Sequence, residues 1–173
     1  WPVHYWRLAR RPVTTIFMIA GEPSGDVLGG RLMAALKAAS GEPLNFSGIG
    51  GDRMIAEGLD SLFDMQELSV MGYLEVVPKI PGLLARISET SNAVRKLRPD
   101  VVVTIDSPDF NLPVEAALKR GGVPTVQYVS PQVWAWRQSR VAGIREATDL
   151  VLCVLPFETE FYAMHGVNSV FVG

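Results

Sequence analysis

Short apolar runs alternate along this chain with longer stretches in which apolar residues recur every three or four positions. The first run, residues 15–20, is rich in β-formers and ends in the glycine-containing loop 21–25. Residues 26–39 then place Leu28, Leu32, Met33 and Leu36 at helical spacing. A second strand is predicted over 46–49, ended by Gly50 and Gly51, and a short helix over 52–57, stopped by Gly58. Residues 62–68 fit neither period. A helix is predicted over 80–97, entered after Pro78 and Pro81 and ending in Arg95, Lys96 and Arg98, which suit the negative end of its dipole.

Residues 100–105 give the clearest strand, because three consecutive valines suit a strand buried on both faces. The pattern continues with a helix over 111–120, a strand over 125–129, a helix over 137–147, a strand over 150–155, a helix over 157–165 and a last strand over 169–172. No internal repeat or low-complexity tract interrupts it. Strands alternating with crossover helices predict an α/β fold: a Rossmann-like parallel sheet with helices on both faces. In such sheets ligands bind beyond the carboxyl ends of the strands. Three loops therefore share one rim: 21–26, 106–111 and 130–137.

With 173 residues the chain is long enough for one well-packed domain and short for two. Hydrophobic residues make up 48% and charged residues 20%, a globular composition. The 16 basic and 18 acidic residues leave a net charge of -2, so nothing global draws the chain to nucleic acid. A single cysteine, Cys153, excludes an internal disulfide and sits in an apolar run as a small buried thiol. No apolar run reaches the length that spans a bilayer. Residues 1–14 mix Trp1, Tyr5 and Trp6 with Arg7, Arg10 and Arg11 and lack the apolar stretch of a signal peptide. They are expected to be a disordered or loosely docked leader, with an interfacial membrane arm as the sharper alternative.

Each rim loop carries candidate chemistry beside a plainer role. In Gly21-Glu22-Pro23-Ser24-Gly25-Asp26 a strand meets a helix N-terminus, where unpaired amides favour an anion and Gly25 permits close approach. Ser24 or Asp26 can equally cap the helix, and the two roles are compatible. Asp106, at the end of the valine-rich strand, can accept a proton from a sugar hydroxyl as that oxygen attacks. Asp109 reads as a helix cap. Asn111 is a second candidate for that cap and a candidate substrate contact, and Asp-x-x-Asp without a histidine is a weak metal set. In the third loop Ser130, Trp134, Trp136 and Arg137, with Arg140 nearby, combine flat apolar rings with cations, which suits sugar stacking and phosphate contact. The alternative places the indoles in the core and the arginines in solvent. Leu74, Val76, Val77, Ile80, Leu83 and Leu84, broken by Pro78, Pro81 and Gly82 and flanked by Lys79 and Arg86, are core or a loop that dips into a membrane interface. His4 and His165 have no chemical role in this scheme.

Six strings in order, AGEPSGD, GGDRMIAEGLDSLF, LSVMGYLEVVPKI, IDSPDFN, YVSPQVWAWR and LPFETEFYAMHGV, resemble the lipid-A-disaccharide synthase family, glycosyltransferase family 19. Each alone is weak, but their common order over residues 15–173 is specific. The resemblance implies a GT-B fold, two Rossmann-like domains with the active site between them. Residues 15–173 would be the N-terminal, acceptor-side domain, without the C-terminal donor domain. This piece alone is expected to bind acceptor weakly and turn over slowly or not at all.

The implied reaction transfers 2,3-diacylglucosamine from UDP-2,3-diacylglucosamine to 2,3-diacylglucosamine 1-phosphate, with inversion and release of UDP. The resemblance makes Asp106 the general base and puts Gly21, Glu22, Ser24, Gly25 and Asp26 near the donor diphosphate. It also makes Leu74 to Leu84 a membrane-facing patch on the cytoplasmic side of the inner membrane, and implies no metal or cofactor. Pro23 departs from the family, which often has a small or hydroxylated residue there. Two rival functions stay open: a non-catalytic membrane-surface lipid-binding module, and another GT-B-like sugar-nucleotide enzyme such as an epimerase.

Overall fold

The computed structural model describes residues 13–69, 76–136 and 138–173, with side chains at all of these except 69, 76–80, 136 and 138. The proposed leader falls outside the described residues up to position 12. Seven parallel strands form one sheet in the order β3-β2-β1-β4-β5-β6-β7. They are β1 (Thr14–Ala20), β2 (Leu44–Ile49), β3 (Leu59–Ser61), β4 (Val101–Ile105), β5 (Thr125–Tyr128), β6 (Leu150–Cys153) and β7 (Ser169–Phe171). The helices are α1 (Pro23–Ala39), α2 (Asp52–Ala56), α3 (Gln66–Ser69), α4 (Val76–Leu97), α5 (Pro108–Lys119), α6 (Val133–Trp136), α7 (Val141–Ala147) and α8 (Glu158–Met164), with a 3₁₀ turn at Gln138–Arg140.

The chain winds outward from β1 to β3, then returns to pair β4 with the other edge of β1. The strand order thus reverses between β1 and β4, and the crevice at their carboxyl ends is the natural ligand site of such a sheet. The expected α/β class and its parallel sheet are found. β1 and β4 are buried along almost their whole length, as their unbroken apolar runs require. The main core gathers Phe17, Ile19, Met33, Ile49, Val102, Ile105, Val114 and Leu118, and a second cluster under α7 and α8 holds Ile144, Val151, Cys153 and Tyr162.

Several boundaries differ from the sequence reading. β3 was not expected, since a three-residue edge strand reading Leu-Asp-Ser has no period to detect. α1 begins at Pro23 rather than at 26; proline is pre-organised for the first helical position, where its missing N–H costs nothing. α4 starts at Val76 and runs through Pro81, so the prolines lie in its first turns rather than before it. The helix expected over 137–147 is a 3₁₀ turn at Gln138–Arg140 followed by α7, and α6 before it was not expected.

The apolar patch also needs correction. Leu83 is half-buried and packs on the main core, whereas Leu84 is 58% exposed. The two are one residue apart on a helix, hence about 100° apart in direction. Leu74, and the side chains of Val76, Val77 and Ile80, lie outside the described residues. Leu83→Ala is therefore expected to cost about 2 kcal/mol in chemical denaturation, and Leu84→Ala less than about 0.5 kcal/mol. Among the described residues no helix is long and apolar enough to cross a membrane.

Candidate active site at the strand switch point

Asp106 follows β4 directly, half-buried, with backbone φ of 52°. Its amide donates to the Tyr128 carbonyl at 3.0 Å, which extends the β4–β5 ladder by one bond. Among the described residues its carboxylate has no hydrogen bond or ion pair. It is a carboxylate at a strand tip, neither locked in a salt bridge nor fully in bulk water.

The loop after β1 meets the loop after β4. A Cβ on Gly21 would lie 2.8 Å from the Ser107 hydroxyl, and one on Gly25 would lie 3.5 Å from the Ile105 side chain. Glycine at both positions lets the two loops close on each other across the switch point. Glu22 and Ser24 are exposed at the start of α1. The Ser24 and Gly25 amides have no carbonyl one turn back within the helix, so this end carries partial positive charge.

Neither expected cap at this site holds. The residue preceding α1 is Glu22, with no side-chain cap bond, and Ser24 and Asp26 lie inside the helix. Asp26 is 5% exposed, and its carboxylate accepts from the backbone amides of Gly51 (2.8 Å), Arg53 (3.0 Å) and Met54 (3.0 Å). It caps α2 from a neighbouring helix, and it also lines the cleft between the start of α1 and the loop after β2. Asp109 does not cap α5 either, because that helix starts at Pro108; its carboxylate instead pairs with Arg140 at 2.9 Å.

Asn111 is fully buried and does not face the crevice. Its Nδ2 donates to the carbonyls of Asp106 (2.7 Å) and Ile105 (3.4 Å), so it holds the turn that carries Asp106. Ser130 is also buried; its hydroxyl and the Trp134 indole N–H (3.1 Å) both donate to Glu158 Oε1, while the Leu155 amide donates to Oε2 (3.0 Å). The Trp134 ring stands edge-on to Phe157 at 4.7 Å. The loop after β5 is thus anchored to α8 through one buried carboxylate. The side chain of Trp136, and Arg137 entirely, lie outside the described residues.

The sequence reading missed Glu158, Gln127, Thr104 and Glu115, all buried. A signal existed for one of them: Asn111, Glu115 and Leu118 are spaced as one helical stripe, so a polar pair sits on the buried face of α5. Also missed was a cleft of about 810 Å³ on the same rim, between the start of α1, the loop after β2 and the segment after β3. Pro23, Gly51, Asp52, Ser61, Phe63 and Asp64 line it. Arg86 on α4 closes the far side of that segment, stacking 4.5 Å over Phe63 and pairing with Glu67.

Cys153 is buried as expected, and burial pushes its thiol up to about 11, which leaves it unreactive at neutral pH. Among the described residues no three His, Cys, Asp or Glu side chains are grouped to hold a metal ion.

A family model described as lipid-A-disaccharide synthetase matches residues 16–173. Proteins named lipid-A-disaccharide synthase are 52% identical in Paramagnetospirillum magneticum, over 91% of this chain and 41% of the relative. One from Pseudomonas aeruginosa is 52% identical over 91% of the chain and 42% of its own length. One from Idiomarina loihiensis is 47% identical over 96% and 44% respectively. The chain thus spans about two fifths of the length of the curated relatives it matches. The two loops that close on each other at the switch point lie within the matched residues, and the chain belongs to the lipid-A-disaccharide synthetase family.

Proposed function

We propose that residues 15–173 are the acceptor-side half of an inverting glycosyltransferase that joins two acylated glucosamine units. The observation that carries this reading is Asp106: a half-buried carboxylate, unpaired among the described residues, at the reversal of strand order and against a glycine-bearing helix N-terminus.

In this reading the donor is UDP-2,3-diacylglucosamine and the acceptor 2,3-diacylglucosamine 1-phosphate. Asp106 takes the proton from the acceptor hydroxyl while that oxygen forms the new bond to the anomeric carbon. The bond from that carbon to the UDP oxygen breaks on the opposite face, so configuration inverts and no covalent sugar–enzyme intermediate forms. The Ser24 and Gly25 amides at the start of α1 offset the charge that develops on the departing diphosphate. Gly21, Gly25 and Glu22 shape that approach. Asp26, Asn111 and Ser130 act one layer back, by holding backbone in place. Trp134 lies on α6 after β5, and a stacking or phosphate contact is assigned to Trp136 and Arg137 on sequence grounds.

The full-length protein, given both substrates, is expected to release UDP together with a β-linked disaccharide 1-phosphate, resolved by mass spectrometry and anomeric NMR coupling. Sugar-nucleotide isomers without a disaccharide would instead indicate an epimerase, and neither product would leave only binding.

Exposed Leu84 on α4 supports a peripheral contact with the cytoplasmic face of the membrane as part of the same function. Flotation with anionic vesicles is expected to fall about fivefold or more in Leu84→Ser, from the loss of roughly 1 kcal/mol or more of apolar burial. Unchanged flotation would remove Leu84 from the contact.

A further inference from the structure

Three residues other than glycine adopt left-handed backbone side by side at the ends of β4 and β5: Asp106 (φ 52°), Ser107 (φ 43°) and Val129 (φ 66°). Each such residue is unfavourable, and a β-branched valine most of all. Conformations of this kind persist only where the surroundings over-determine them. Here Gln127 does so: its Nε2 donates to the carbonyls of Asp106 (3.2 Å), Tyr128 (3.4 Å) and Val129 (3.2 Å).

That contact fixes which way the Gln127 amide points. Its nitrogen faces three carbonyls, so its oxygen must face the other way, toward the Thr104 hydroxyl at 2.8 Å. Thr104 Oγ1 is also within hydrogen-bonding reach of Glu115 Oε1. A hydroxyl has one hydrogen and here meets two acceptor oxygens. The conflict disappears if Glu115 carries a proton and donates it to Thr104, which then donates to Gln127. All three side chains are fully buried.

We propose that Glu115 is a positioning residue: as a neutral carboxylic acid it begins a one-way hydrogen-bond relay through Thr104 and Gln127 that holds the Asp106 backbone in its left-handed turn. The proposal rests on the reading of Asp106 as the general base. Burial supports the neutral form, pushing the Glu115 carboxyl from 4.5 up to about 8, against the Thr104 and Thr148 hydroxyls and Lys119, with Asp149 adding to the rise. Lys119, on the same helix, and Asp149, just before β6, are the charged groups that face it, and they pair with each other at 3.3 Å.

The test uses the full-length protein and three variants. Thr104→Val keeps the strand and removes the relay hydroxyl; it is expected to lower kcat about tenfold with KM within about twofold. Glu115→Leu is expected to match it, while Glu115→Gln, whose amide can still donate to Thr104, keeps kcat within about threefold. Placed on an Asp106→Asn background, Thr104→Val and Glu115→Leu are expected to cost less than about twofold more, because they act through that carboxylate; general structural damage would multiply through instead. Wild-type kcat in Thr104→Val and Glu115→Leu, or full multiplication on the Asp106→Asn background, overturns the relay while leaving the base assignment intact. Retained activity in Asp106→Asn itself overturns the base assignment and, with it, a positioning role.

Stability against pH reads the proton directly. The folded chain keeps a proton that the unfolded chain releases above about 4.5, so wild type should lose stability relative to Glu115→Gln as pH rises from there to about 8. Parallel denaturation midpoints across that window would show Glu115 to be ionised and end the proposal.

Discussion

Asp106→Asn is expected to lower kcat of the full-length protein by about 10²-fold or more, with KM little changed. The substitution suits a chemical test because of the backbone it inherits. Asp106 sits at φ 52°, in the left-handed region, and asparagine tolerates that region as well as aspartate does. The Asn111 and Gln127 contacts to the residue 106 carbonyl involve main chain only and survive the change. What disappears is the capacity to take a proton. Disaccharide formation within a few-fold of wild type would mean that another group accepts the proton. Asp106→Ala would be a poorer probe, since it adds the strain of a left-handed alanine to the lost carboxylate.

Asp26→Ala is expected to lower folding stability by about 3 to 5 kcal/mol, read from denaturant midpoints. The carboxylate lies between α1 and the N-terminus of α2, and its two oxygens accept three backbone amides. α2 has Gly51 as its N-cap residue and so no cap side chain of its own; Asp26 supplies one from another helix. Removing it takes the shared partner from three amides at a position where the side chain itself is 5% exposed, and that penalty exceeds the loss of an exposed cap. Asp26→Asn should cost less, about 2 kcal/mol, since its amide oxygen still accepts from one or two of the amides. A loss below about 1 kcal/mol in Asp26→Ala would mean that the loop after β2 relaxes to satisfy those groups itself. Because Gly51 and Asp52 line the rim cleft, the variant is also the sharpest way to ask whether the cleft takes part in acceptor binding.

Much of the frame was legible because it depends on local pattern. The run of valines before Asp106 predicted a strand covered on both faces, and β4 lies beside β1 in the middle of the sheet. The loops after β1 and β4 were expected on one rim, and Gly21 and Gly25 of the first lie in contact range of Ser107 and Ile105 at the second. The failures share one cause, which is that the deciding partner was distant in sequence. Asp26 looked like a cap for its own helix and caps another one 25 residues away. Ser130 and Trp134 were read as ligand contacts without the tie to Glu158, which lies 28 and 24 residues away. Leu83 and Leu84 looked equivalent and point in different directions from α4.

The amino-acid order alone determined the alternation of strands and helices, the parallel sheet that such alternation requires, and the strand tip at which a carboxylate would sit. Periodicity and glycine placement are properties of neighbouring residues, so they can be read along a line. Which polar groups face a ligand and which are consumed in holding the backbone was decided only by tertiary structure. A hydrogen bond belongs to whichever donor and acceptor the sheet brings together, and Glu115, Thr104, Gln127 and Asp106 meet only once α5, β4 and β5 are packed.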